Sequence, residues 1–382
     1  MNMGDSRLRQ LRDQGLYRRM VTLQGPPGVS VQVEGRRKIL FCSNNYLGLA
    51  NDARLIEAAK GALEKWGFGS GASRLICGNS TPHETLQSRL AQLLQKERCL
   101  ILPTGFMANY AVLATLPQKE DLLLLDKRVH ASLIDGARAS QAALRTFPHR
   151  QNEKLVRLLK DADYQHAWIV TDSLFSMDGD RAALGELIEI KKEFGASLMV
   201  DEAHAFGCLG RRGLGVAEEQ GVLDDMDVFM ATFSKALGGA GGFIAASSET
   251  VEWLINSARA FIYTTGIPAV HCLAAEAALD IVDAEPQRRQ RLCENAEYFH
   301  QRCRRMNLDT GDSCSYIVPI ILGAAERALE VSEQLWEEGF MIPAIRPPTV
   351  APNSSRLRVS LSSQHSTDHL DMLCDALQKV IL

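Results

Sequence analysis

Three short runs carry side chains with chemistry to offer. Asp201-Glu-Ala-His204 follows the apolar segment Ser197-Leu-Met-Val200, and Thr232-Phe-Ser-Lys235 follows Val228-Phe-Met-Ala231. Thr104-Gly-Phe-Met-Ala-Asn109 follows Cys99-Leu-Ile-Leu102 and opens a helical pattern. Apolar runs of this length read as buried strands, and the exits of parallel strands are where open α/β sheets bind ligands. A lysine amine delivered there can form a Schiff base with an aldehyde. An aspartate can keep a pyridine nitrogen protonated, which makes the ring an electron sink. A glycine at a helix start, here Gly105 before Phe106, lets backbone N–H groups approach a phosphate. The combination suits a pyridoxal phosphate (PLP) site, with Lys235 as the attachment amine and Asp201 at the ring nitrogen.

Other residues join with more than one reading open. His130 follows Leu122–Asp126, and its ring either lies flat on the pyridine or fills surface or core. His204 shares the Asp201 loop and is placed to bond the phenolic oxygen of the cofactor. Ser176, in Phe175-Ser-Met-Asp-Gly179, is a cofactor ligand or a turn hydroxyl; Thr232 and Ser234 are further hydroxyl donors. Taken singly, Asp201 would cap the next segment and Lys235 would be an ordinary exposed lysine. Their coincidence at successive strand exits favours the site. Gly238-Gly-Ala-Gly-Gly242 implies close backbone packing beside the lysine. It is no dinucleotide fingerprint, since glycine order, strand–turn–helix context and the later acidic residue do not occur together.

These strand exits need a scaffold. Leu8, Leu11, Leu16 and Met20 predict an amphipathic helix over residues 5–20, and Val29–Val33 with Lys38–Phe41 predict a hairpin turning at Glu34-Gly35. From about residue 53, strand candidates (99–102, 122–125, 167–170, 198–200, 228–231) alternate with helical patterns, among them 86–94, 108–116, 131–142, 152–162 and 183–194. Such alternation predicts βαβ units and a mostly parallel sheet covered on both faces. Past Gly266-Ile-Pro268 the pattern changes: a long helical stretch over 268–306 broken at Pro286, a strand at 316–322, a helix at 325–338, a strand at 356–361, and a last helix with Leu370, Leu373, Leu377 and Val380 on one face. The expected organisation is an arm over 1–42, a large α/β domain over 43–266 and a smaller C-terminal α+β domain over 267–382.

Composition narrows the function class. Of 382 residues, 46% are hydrophobic and 23% charged, as in an ordinary soluble globular chain, and the net charge of −4 disfavours a nucleic-acid binder. Nine scattered cysteines with no CxxC pair point to reduced thiols rather than disulfides or a zinc site, so no metal is expected. No apolar stretch is long enough for a membrane span, and residues 1–20 lack the core of a secretory signal. A cytoplasmic location is the expectation.

The chain resembles the α-oxoamine synthases of the fold-type I PLP enzymes. The carriers run nearly end to end: Ser43-Asn-Asn-Tyr-Leu-Gly-Leu49, Gly69-Ser-Gly-Ala-Ser-Arg74 with Gly78, Thr104–Asn109, Phe175–Asp180, Asp201–His204, Thr232–Lys235, Ile345-Arg-Pro-Pro-Thr-Val350 and Arg356-Leu-Arg358. Arg346–Thr349 is most similar to the members that condense L-alanine with a pimeloyl thioester, as its CoA or carrier-protein form, to give 8-amino-7-oxononanoate for biotin. Arg74-Leu-Ile-Cys-Gly78 is somewhat similar to glycine C-acetyltransferase, which stands, with other α-oxoamine synthases, as the alternative. The resemblance implies Lys235, Asp201, His204 and His130 as catalytic residues, with Gly105, Phe106, Ser176 and Thr232 as further cofactor contacts. It implies a homodimer with shared sites, in which Thr264 or Thr265 reaches the partner's phosphate. Arg358 and Asn44 would hold the amino-acid carboxylate, beside His130. Arg18 (or its neighbour Arg19) and Thr349 would contact the acyl substrate. Transamination on the same cofactor, a non-catalytic subunit and a nicotinamide oxidoreductase are the rival functions; retention of Lys235, Asp201 and His204 together disfavours the second, and the missing fingerprint the third.

Overall fold

The computed structural model describes residues 3–381. The chain opens with α1 (Met3–Asp13), β1 (Ser30–Val33) and β2 (Arg36–Leu40). A 3₁₀ turn at Leu49–Asn51 leads into α2 (Ala53–Trp66), α3 (Thr81–Leu94), β3 (Arg98–Leu102), α4 (Gly105–Leu113), β4 (Leu122–Asp126), α5 (Ala131–Ala139) and β5 (Ala143–Phe147). Next come α6 (Asn152–Asp161), β6 (Ala167–Asp172), α7 (Leu184–Phe194), β7 (Ser197–Asp201), α8 (Val216–Glu219), β8 (Val228–Thr232), β9 (Gly242–Ala246), α9 (Ser248–Ser257), α10 (Arg259–Ile262) and α11 (Ala269–Ala284). The remainder is α12 (Pro286–Arg305), β10 (Ile317–Gly323), α13 (Ala325–Glu337), β11 (Phe340–Met341), β12 (Ala344–Ile345), β13 (Ser355–Ser360) and α14 (Thr367–Ile381). No helix among the described residues is long and apolar enough to cross a membrane.

The chain divides into two compact units. The larger comprises residues 49–176 and 181–289; the smaller joins 1–48, 177–180 and 290–382. The sequence reading ends the large domain at 266 and treats the arm separately. The packing differs because α11 lies on α2 and α3, and β2 of the arm takes β11 as a parallel partner.

The large unit is built on a seven-stranded sheet in the order β3-β9-β8-β7-β6-β4-β5. All its strands are parallel except β9, which runs against both β3 and β8. Leu100, Leu102, Leu123, Leu125, Val170, Met199, Met230 and Ile244 pack on one side with Ala108, Val112 and Leu113 of α4 and Leu133 of α5. The alternate positions, including Leu124, Ile169, Leu198, Val200, Phe229 and Phe243, are equally buried. Burial on both faces is why these strands read as unbroken apolar runs. Two strands escape that signal. β5 is an edge strand with mostly exposed residues, and β9 begins inside the glycine run, at Gly242.

The small unit holds two three-stranded sheets, β1-β2-β11 and β10-β13-β12. The predicted hairpin is present: Val33 pairs with Arg36, and Glu34 (φ 50°) and Gly35 (φ 75°) make the turn. Two consecutive positive φ angles suit the right-handed twist of the flanking strands. The N-terminal helix stops at Asp13 rather than continuing to 20. Gly15 takes φ 64°, and Leu16 and Tyr17 return their N–H groups to the Leu11 carbonyl, closing the helix with a left-handed glycine. Leu8, Leu11 and Met20 are exposed and Leu16 is half-buried, so the apolar spacing there forms no buried face.

Candidate active site

Six strands of the large sheet end on the same edge, at Leu102, Asp126, Phe147, Asp172, Asp201 and Thr232. The turns leaving four of them line a cavity of about 220 Å³, with Thr104, Gly105, Phe106, Asn109, His130, Ser132, Asp172, Asp201, Ala203, His204, Met230, Thr232, Ser234 and Lys235 around it. Every one of these residues belongs to the large unit.

One end of the cavity is rich in donors. Thr104 caps α4 by accepting from Met107 N–H at 3.1 Å. The first N–H groups of a helix have no acceptor within it, so those of Gly105 and Phe106 are available to an anion. A side chain at Gly105 would put its Cβ 3.1 Å from Met230 Cε and 3.5 Å from Thr232, so glycine keeps the helix start close to β8. Thr232 Oγ1 donates to the Gly241 carbonyl at 2.6 Å and lies 2.8 Å from Ser234 Oγ. The glycine run packs as expected: a Cβ at Gly238 (φ 68°) would sit 2.4 Å from Ala50 N.

Asp201 is held at both oxygens. Oδ1 accepts from Ala203 N–H at 2.8 Å, and Oδ2 accepts from Asn109 Nδ2 at 2.6 Å. Directly opposite in the sheet register is Asp172, which is 2% exposed and accepts the His130 backbone N–H at 3.3 Å. Burial, reinforced by the Asp201 carboxylate, pushes the Asp172 carboxyl well above the usual carboxylate range; the His130 N–H and Lys235 pull the other way. Burial also depresses the His130 imidazole, aided by Lys235 and opposed by Asp201. Glu202, next in sequence to Asp201, points away from the cavity. It is fully buried and accepts from Ser173 Oγ (2.5 Å), Val216 N–H (3.0 Å) and Ala217 N–H (2.8 Å), and burial raises it to about 7.

Of the residues singled out from sequence, Gly105, Phe106, His130, Asp201, His204, Thr232 and Lys235 meet at this cavity. Ser176 does not line it; it is a largely buried residue in the turn after Leu174, which bridges to Arg181. Thr264 and Thr265 are also absent from the lining, and Thr265 bridges to Ser73 instead. Apart from His130, the substrate candidates belong to the small unit. Arg358, buried in the middle of β13, donates to Ser360 Oγ at 2.7 Å and to Asn44 Oδ1 at 3.2 Å, and Asn44 also accepts from Tyr46 OH at 3.1 Å. Arg18 and Thr349 are exposed. Sequence reasoning missed Asp172, Ser132 and the part played by Asn109. Asp172 ends a strand as Asp201 does and carried that signal; Ser132 and Asn109 acquire their partners only on folding.

A flat anionic heteroaromatic fits this set of groups. Helix-start amides and hydroxyls suit a phosphate, a doubly held carboxylate suits a ring nitrogen, and an amine suits an aldehyde. Pyridoxal phosphate has these features together. The class I and II aminotransferase model matches residues 36–377 of the chain. The 8-amino-7-oxononanoate synthase of Geobacter sulfurreducens is 43% identical over 98% of this chain and 96% of its own length. Among solved structures, a serine palmitoyltransferase from S. paucimobilis with a bound PLP–myriocin aldimine superposes with TM-score 0.94 at 28% identity, covering 99% of this chain and 96% of that one. The 8-amino-7-oxononanoate synthase of Francisella tularensis superposes with TM-score 0.79 at 29% identity, covering 90% and 97%. By the extent of these matches the chain belongs to the class I and II aminotransferase family of PLP enzymes, on its α-oxoamine synthase branch.

Proposed function

We propose that this chain condenses L-alanine with a pimeloyl thioester, carried by CoA or an acyl-carrier protein, to release 8-amino-7-oxononanoate, CO2 and the free thiol in biotin synthesis. The observation that carries the reading is the meeting of Lys235, Asp201, His130 and the start of α4 around one cavity, in a chain 43% identical to a curated synthase of that product. Bound pyridoxal phosphate supplies an electron sink for a carbanion at the amino-acid Cα.

The residues take these parts. Lys235 would be the attachment amine and, with Nζ free and neutral, the base that takes the Cα proton of alanine. Asp201 would hold a proton on the ring nitrogen, and its two hydrogen bonds aim the carboxylate. His130 covers a ring face and His204 bonds the phenolic oxygen. Gly105 and Phe106 amides with Thr232 bind the phosphate, and Ser176 contributes to the cofactor shell. Arg358, with Asn44, clamps the alanine carboxylate through paired N–H donors. Arg18 and Thr349 contact the acyl substrate. The working form is a cytoplasmic homodimer in which Thr264 or Thr265 reaches the partner's phosphate.

The test is a substrate matrix read by thiol release: alanine, glycine and serine against acetyl-, succinyl-, pimeloyl- and palmitoyl-CoA. Alanine with pimeloyl-CoA should give the highest kcat/KM. Preference for glycine with acetyl-CoA would assign the chain to glycine C-acetyltransferases, and preference for serine with palmitoyl-CoA to the serine palmitoyltransferases that it superposes on. A rapid alanine-to-pyruvate half-reaction without acyl donor would replace the condensation with transamination.

A further inference from the structure

Asn109 is 1% exposed and Ser132 is fully buried, and both lie on the cavity wall. Asn109 Nδ2 donates twice, to Asp201 Oδ2 at 2.6 Å and to Ser132 Oγ at 2.9 Å, while its Oδ1 has no hydrogen-bond partner. The opposite amide orientation would set a carbonyl oxygen against a carboxylate, so the assignment is settled by charge. Ser132 Oγ then lies 2.7 Å from His130 Nδ1, and the Ser132 backbone N–H also points at Nδ1, at 3.2 Å. A backbone N–H only donates. His130 Nδ1 is therefore an acceptor, and the Ser132 hydroxyl, already receiving from Asn109, has its own proton free to give to Nδ1.

We propose that Asn109 and Ser132 are positioning residues that form a relay from Asp201 to His130, locking His130 as the neutral tautomer with its proton on Nε2. The proposal rests on the PLP-dependent reading of the cavity. Its consequence is chemical: with Nδ1 occupied, His130 offers the cavity a single N–H donor, at Nε2. The same bonds tie that state to Asp201, because the amide that feeds Ser132 is oriented by the Asp201 carboxylate. The charged and titratable groups facing His130 are Asp172 from β6, Asp201 from β7 and Lys235 after β8; Ser132 approaches from its own helix, α5. The depressed imidazole, caused chiefly by burial, agrees with a neutral ring.

The holoenzyme, labelled with ¹⁵N-histidine, reports the tautomer directly. The His130 resonance, assigned by its loss in His130→Gln, should show an unprotonated Nδ1 and a protonated Nε2 at neutral pH. Ser132→Ala removes a donor that favours the neutral ring, so the His130 protonation midpoint should rise, and kcat/KM should fall about tenfold, the worth of one hydrogen bond to a group that carries charge in one state. Asn109→Ala should weaken PLP binding by about tenfold or more, since a buried carboxylate loses a donor. The Ser132→Ala/Asn109→Ala double variant should change the midpoint by less than the two single shifts together, because the two act in one chain. A protonated Nδ1 in the wild type, an unmoved midpoint in Ser132→Ala, or strict additivity in the double variant would overturn the relay. None of these spectroscopic readouts needs substrate, so a wrong assignment of amino acid or acyl donor would leave them intact and show itself in the substrate matrix instead.

Discussion

The cavity of the large unit and the arginine site of the small unit are built in opposite ways. At the cavity the functional side chains come from the ends of buried strands and the turns and helix starts that follow them, and the parallel register brings these together: Asp172 stands opposite Asp201, and Asp201 opposite Met230. In the small unit Arg358 emerges from the middle of β13, and its partners Asn44 and Tyr46 come from far away in the chain. The first design sets charges at the open edge of a sheet, where they are desolvated on one side and reachable from the other. The second buries a guanidinium inside a sheet, where Ser360, Asn44 and Tyr46 accept from it. On the proposed function, the large unit would hold the cofactor and the small unit the substrate carboxylate.

Substitutions can break that division of labour, beginning with the largest effect. Lys235→Ala should lower kcat by at least about a thousandfold, and borohydride treatment of the loaded protein should leave no cofactor on the peptide that contains residue 235. Asp201→Ala should cost about a hundred- to a thousandfold in kcat, with the visible cofactor band shifted, because the ring loses its proton-holding partner. If either variant changed only the KM for alanine, the cofactor would not lie where this cavity puts it.

Glu202 sharpens the picture of the same strand end by acting on stability. Its carboxyl ordinarily titrates at 4.5 but is raised by burial to about 7 in the fold. The folded state therefore holds its proton through a range where the unfolded chain has released it. The resulting stability is fully present below about 4.5 and is lost as pH rises through about 7, a total on the order of 3 kcal/mol. Urea midpoints taken across that window should fall with rising pH in the wild type and flatten in Glu202→Gln.

Two changes in the small unit complete the comparison. Arg358→Lys keeps the charge and loses the paired donors, so the KM for alanine should rise roughly thirtyfold while PLP affinity stays unchanged; weakened cofactor binding would erase the distinction between the two units. Gly35→Ala meets open space but is held at φ 75°, so it should cost about 1 kcal/mol in denaturant unfolding with activity untouched.

Much of the site was legible because it is local. Asp201–His204, Thr232–Lys235 and Thr104–Asn109 each sit within a few residues of an apolar run, and burial on both faces makes such runs plain in the sequence. Legibility failed where a signal was diluted or duplicated. β5 is too exposed to form an apolar run, β9 starts on glycine, and the leucines of the N-terminal helix have helical spacing but bury no face. Asp172 looked like any strand-end acid until the register set it against Asp201.

Residue types and spacing determined the βαβ framework, the cofactor class and the lysine–aspartate pair, since each depends on interactions among near neighbours in the chain. Tertiary structure alone decided that the Asp172 carboxyl is pushed up, how Asn109 and Ser132 connect Asp201 to His130, and that Arg358 finds Asn44. Those outcomes depend on burial and on hydrogen bonds between segments distant in sequence, and such distances come into existence only when the chain folds.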